Sequence, residues 1–215
     1  MARRKTLKKA QYLEFPNCFT KDHSHKGKWR NYFGNDFPLI LELGCGKAEL
    51  SLALAEKYPQ KNFLGIDLKM DRMWWASKEA ARRDLPNLAF LCINLLEIGA
   101  HFEEGEVDEI WITFPDPFPK KRQIKHRMIT PPFLENYQKI LIPGGKILYK
   151  TDNLPLFQYS LEVFVRQGNL TFHKLSFDLH GEDDFPQDWK FETTYEKEFR
   201  AMGDSINFVA MSFTG

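Results

Sequence analysis

Cysteine is scarce in this chain of 215 residues. Cys18, Cys45 and Cys92 are the only three, an odd number with no C-x-x-C spacing. That excludes a disulfide framework and a four-cysteine zinc site, and it suits a reducing, cytoplasmic compartment. Long apolar runs are also missing. None approaches the roughly 20 residues of a membrane helix, and the opening MARRKTLKKA leads into polar sequence rather than a signal-peptide core. A protein that neither crosses a membrane nor is secreted is therefore expected. There is no internal repeat, low-complexity tract or dividing linker. With 43% hydrophobic and 27% charged residues, disorder is excluded and one globular domain is indicated, long enough to bury about 70% of its unfolded surface.

Net charge is nearly absent too, at +1, which taken alone argues against a polyanionic partner. The total hides a segregation. Residues 1–30 carry +7, and KKRQIKHR at 120–127 carries +5 with no acid, leaving −11 on the rest of the chain. A basic tail and a basic loop on an acidic body form a local footprint for phosphates. The division expected is a basic, flexible segment over 1–30 followed by a single domain over 31–215.

Apolar runs with turn signals at their ends mark strands at Phe37–Leu43, Asn62–Asp67, Leu85–Ile93, Val107–Phe114 and Gly144–Thr151. Helical spacing separates them, as in residues 48–58 and the stretch to Arg83 carrying Trp74 and Trp75. Alternating strands and helices specify βαβ units and a parallel sheet with helices on both faces. Leu170–Leu179 and Ser205–Phe213 read as two further strands without a full helical crossover, hence an antiparallel pair at the sheet edge.

The βα turn after the first strand reads Glu42-Leu43-Gly44-Cys45-Gly46, and Asp67 ends the second strand 21 residues later. Glycines there let a ligand approach backbone, and a carboxylate ending the next strand can bind a ribose diol. A dinucleotide site calls for a third glycine where Glu49 stands. Acids at Glu42 and Glu49 suit a cationic ligand without phosphate, such as S-adenosylmethionine, over a nicotinamide dinucleotide. Asn94, after the third strand, could read adenine or ribose, although an Asn there is commonly a turn residue. His23 and His25 beside Asp22 lack further ligands at metal spacing, so no metal is expected.

After the fourth strand comes Phe114-Pro115-Asp116-Pro117-Phe118-Pro119-Lys120-Lys121-Arg122. Three prolines stiffen this loop at the strand end where open α/β sheets bind ligands, and so fix Asp116. An acid inside and cations outside suit a nucleic-acid base entering beside its own phosphates.

ELGCGKAE, GID, FPDPFPKKRQIKHR, Thr151-Asp152 and Thr193-Thr194-Tyr195-Glu196 together resemble the bacterial tRNA (guanine-N7-)-methyltransferase family, over nearly the whole chain from about residue 15. Two positions depart from that pattern: Asp67 stands where Glu is usual, and Phe118 where Trp is usual. The resemblance implies a Rossmann-like, seven-stranded class I methyltransferase fold and methylation of a variable-loop guanosine of tRNA. It assigns Glu42, Asp67, Asn94 and Asp116 to the S-adenosylmethionine site, along with the glycine turn of Gly44 and Gly46. Lys120, Asp152, Thr193, Thr194, Tyr195 and Glu196 fall to the substrate, and Lys121, Arg122, Lys125, His126 and Arg127 to RNA contact. Asp116 is the catalytic candidate, and a monomer or homodimer is expected. The alternatives are a non-catalytic tRNA-binding protein on the same fold and a methyltransferase acting on another base.

Overall fold

The computed structural model describes residues 2–21 and 23–214, so Asp22 of the histidine-rich segment lies outside the described residues. The chain begins with helix α1 (Ala2–Tyr12), a short strand β1 (Cys18–Phe19) and helix α2 (Trp29–Phe33). Then follow β2 (Leu39–Leu43), α3 (Glu49–Lys57), β3 (Asn62–Asp67), α4 (Met70–Arg82), β4 (Leu88–Cys92) and β5 (Val107–Thr113). The remaining elements are α5 (Pro131–Ile140), β6 (Leu141–Thr151), α6 (Leu154–Gln167), β7 (Leu170–Ser176), α7 (Thr194–Ala201) and β8 (Asn207–Phe213). Short 3-10 helices cover Leu95–Ala100, Lys121–His126 and Leu179–Gly181.

The strands form one eight-stranded sheet in the order β1-β4-β3-β2-β5-β6-β8-β7. All seven expected strands are present; the eighth is β1, which pairs in parallel with β4 through Cys18 and Phe90. Two residues are too few to show any alternation, so nothing in the sequence marks them as a strand. β8 lies between β6 and β7, antiparallel to both. The last two strands pair antiparallel without a helical crossover, as expected, and the acidic, proline-bearing segment that joins them carries the eight-residue α7.

Each residue of β2, β3 and β4 is buried, which explains their continuous apolar runs: helices cover both faces of a parallel sheet. Successive β2 side chains alternate between the two core layers. Leu39, Leu41 and Leu43 join one, with Phe133, Tyr137 and Phe157. Ile40 joins the other, with Leu52, Ala76 and Phe208. Glu42 follows Ile40 by two, so it shares the second face and places a carboxylate under α3.

The expected division at residue 30 is not where the packing divides. Tyr12 is fully buried, and its hydroxyl donates to the carbonyls of Phe19 and Phe90 at 3.2 and 3.1 Å. Lys8 sits 4.6 Å from the centre of the Trp74 ring on α4. The basic segment is thus a helix and an edge strand fastened by one buried tyrosine and a cation–π contact.

Candidate functional site

From β2 the chain steps outward one way to β3 and β4, and from β5 the other way to β6, so strand order reverses between β2 and β5. Ligands of open α/β sheets bind beyond the strand C-termini at such a reversal. A cavity of about 410 Å³ opens there. Its lining includes Glu42, Gly44 and Gly46 from the glycine turn, Asp116 from the proline loop, Asp152 from the end of β6, and Thr193 and Tyr195 from the start of α7.

The glycine turn is held from β3. The N–H groups of Gly44 and Cys45 both donate to the Ile66 carbonyl, at 2.8 and 3.0 Å. Gly44 has φ +70°, and a Cβ there would lie 2.6 Å from the Met128 Cε. Gly46 has φ +56° with open space where a side chain would be, so backbone is left exposed to a ligand. Asp67 accepts from the Gly46 N–H at 3.0 Å and the Lys69 N–H at 2.9 Å. It therefore shapes the turn, and it lies outside the cavity lining. Asn94 also lies outside; its side chain caps the following 3-10 helix by accepting from the Leu96 N–H.

Glu42 is 4% exposed and accepts hydrogen bonds from both the N–H and the hydroxyl of Ser51. Burial pushes its pKa up to about 7 against those bonds. Burial likewise raises Asp152, which has a neighbour of like charge in Asp204. Burial drives the Cys45 thiol well above its usual range, so it is an inert packing group.

The proline loop is strained at both ends. Phe114 and Phe118 have φ +49° and +43°, a region that L-residues with bulky side chains rarely adopt. Arg127, expected to face RNA, is turned inward: it donates to the carbonyls of Pro117 and Phe118 at 2.9 and 3.2 Å and lies over the Tyr159 ring at 4.3 Å. Lys120, Lys121, Arg122, Lys125 and His126 are exposed around the 3-10 turn beside it.

Of the Thr193–Glu196 motif, Thr193 and Tyr195 face the cavity, while Thr194 and Glu196 do not. Glu196 is fully buried; it accepts from Lys150 Nζ at 2.5 Å and lies 2.8 Å from His180 Nε2. T-x-x-E is also the pattern of a helix capping box, and Thr193 does cap α7 by accepting from the Glu196 N–H at 3.3 Å. That local reading identifies the helix that tertiary reasoning missed. Glu49, read from sequence as an acid suited to a cationic ligand, lines the cavity, as do Lys47, Arg72, Thr113 and Phe199, which were not singled out. Of these, Lys47 and Glu49 flank the glycine turn.

The family model described as "Putative methyltransferase" matches residues 36–209. The tRNA (guanine-N(7)-)-methyltransferase of Cytophaga hutchinsonii is 38% identical over 99% of both chains. That of a Geobacillus species is 38% identical over 95% of this chain and 91% of its own. Among solved structures, the 16S rRNA methyltransferase KamB superposes with a TM-score of 0.65 at 13% identity, covering 88% of this chain and 94% of that one. A point mutant of the 16S rRNA (adenine(1408)-N(1))-methyltransferase of Catenulisporales acidiphilia, with cosubstrate SAM, gives 0.60 at 14% identity over 88% and 91%. These establish the class I methyltransferase fold, and the relatives of matching length establish more: the chain belongs to the tRNA (guanine-N(7)-)-methyltransferase family.

Proposed function

We propose that this chain methylates N7 of a guanosine in the variable loop of tRNA, using S-adenosylmethionine. The observation that supports it most is the meeting of four carboxylates with the glycine turn in one cavity, whose proline loop leads on in sequence to the exposed basic 3-10 turn. Glu42, Glu49, Asp116 and Asp152 are carboxylate acceptors that outnumber the cations Lys47 and Arg72, and Gly46 offers open backbone, a set that suits a cationic, phosphate-free nucleoside. S-adenosylmethionine supplies, when bound, a methyl group activated by a positive sulfur. Glu42 and the glycine turn would hold it, with Asp67 on the ribose side and Asn94 on the adenine side, and each of these two keeps acceptor capacity after its backbone bonds.

Guanine N7 has a lone pair and no proton, so the chain need supply no general base. Among the described residues lining the cavity there is no histidine or serine, and the one cysteine is inert. What the chain does supply is alignment and a carboxylate where positive charge grows on the purine. Asp116 fills that role, while Asp152 and the Thr193–Tyr195 wall meet the donor-rich edge of the base, with Tyr195 or Phe118 as stacking surface. Lys120, Lys121, Arg122, Lys125 and His126 take the flanking phosphates. The three free cysteines suit a reducing cytoplasm.

Unmodified tRNA incubated with the protein and labelled S-adenosylmethionine should yield 7-methylguanosine on nucleoside analysis. Label on another base, or none, would sink the reading. The cofactor's affinity should also depend on pH. Binding a cation favours ionised Glu42, whose pKa is up to about 7. Calorimetric Kd should hence be flat above that value and rise by roughly tenfold per unit below it. Glu42→Gln should remove the dependence; if the wild-type curve is flat from pH 8 to 5.5, Glu42 does not hold the cation.

A further inference from the structure

α7 is fastened at two points, by Glu49 of α3 and by Lys150 of β6. Glu49, first residue of α3 and directly after the glycine turn, accepts from the Thr194 N–H at 2.6 Å across 145 positions of sequence. Lys150 of β6 donates to Glu196 at 2.5 Å and to the Phe191 carbonyl at 2.6 Å. These anchors bracket Thr193 and Tyr195, the two residues of the motif that face the cavity.

The first N–H groups of a helix have no partner within it and take acceptors from elsewhere. In a capping box the third helical residue, here Glu196, turns its carboxylate back toward the helix start. Glu196 instead points inward to Lys150 and His180. At the helix start it is Glu49 that supplies a carboxylate, to the N–H of the first helical residue, Thr194. Lys150 also lies 5.7 Å from the Phe114 ring at the entry of the proline loop and interacts electrostatically with Glu42. The substrate wall is thereby referred to the cofactor floor above and below.

We propose that Glu49 is a positioning residue: by holding the first turn of α7 against α3 it sets the Thr193–Tyr195 wall relative to the glycine turn, and so places the base against the methyl donor. This rests on the guanine-N7 reading. Because Glu49 also lines the cavity, a direct cofactor contact is the competing role, and the two separate by which ligand is lost.

Two variants delete the same bond from opposite sides. Glu49→Gln weakens the acceptor, and Thr194→Pro removes the donor. Proline is accepted at a first helical position, and Thr193 has φ −70° and ψ 166°, a conformation allowed before proline. Each should raise the KM for tRNA by about tenfold, leave the calorimetric Kd of S-adenosylmethionine within about twofold, and speed amide hydrogen exchange over residues 194–201. The double variant should be no worse than either single one, since both remove one interaction. The proposal fails if Glu49→Gln weakens cofactor binding while Thr194→Pro behaves as wild type, if the two losses multiply, or if KM and exchange are unchanged in both. Wild-type protein in the same assay keeps the readings apart: no 7-methylguanosine from it would overturn the activity, whereas exchange and calorimetry would still decide the anchor.

Discussion

Replacing Asp116 with alanine should lower kcat by roughly 10²–10³-fold, the usual loss when one preorganised electrostatic group is removed from a transition state. The melting temperature should hardly move. Asp116 is exposed, and among the described residues its carboxylate has no hydrogen-bond partner, so the fold loses nothing with it and stability should stay within about 0.5 kcal/mol. The surrounding loop is built for holding that side chain. Prolines at 115, 117 and 119 restrict its backbone, two phenylalanines with positive φ bound it, and Arg127 ties the Pro117 and Phe118 carbonyls to the α6 side. Steady-state kinetics and thermal melting of Asp116→Ala and Asp116→Asn decide the matter. If the asparagine variant keeps full activity, negative charge at this position is not what the reaction uses.

The other large effect is on stability. Lys150 and Glu196 are 1% and 0% exposed, and burial pulls the Lys150 pKa down against the attraction of Glu196. Glu196→Ala would strand the ammonium in the core, at a cost of about 3–5 kcal/mol. In a chain of this size, that lowers the melting temperature by about 6–20 °C. Replacing both partners, as Lys150→Met with Glu196→Leu, should recover much of the loss because no unpaired charge remains. If Glu196→Ala melts within 2 °C of wild type, by a criterion of roughly 1 kcal/mol, the pair is not what holds α7 down.

The parallel strands were legible because helices bury them on both faces, which makes each a continuous apolar run between turn residues. Their ends were less so: the run from Phe37 starts as strand only at Leu39, and Leu85–Ile93 narrows to Leu88–Cys92. That the acidic and glycine residues around the β2–α3 turn share one concave site was legible because they are close in sequence. Partners distant in sequence were not. Glu49 reads as an acid of the glycine turn, yet its hydrogen bond is to Thr194; Arg127 reads as one more cation of a basic run, yet it folds back on the proline loop. The Thr193–Glu196 motif could be read as substrate contact or helix cap, and the burial of Glu196 divides it between the two.

The placing of β8 between β6 and β7 has a consequence for the order in which the protein forms during synthesis. Strands β1 to β5 with the glycine turn pair among themselves, apart from the β5 edge that takes β6, and can assemble while the rest of the chain is still being made. β6 then presents an open edge until residues 207–213 arrive to occupy it, a template for mispairing while it lasts. Lys150 and Thr151 lie on that edge, opposite Phe208 and Asn207. A chain stopped short of residue 207 would therefore contain every residue of the candidate site and still leave the β6 edge that carries Lys150 unpaired.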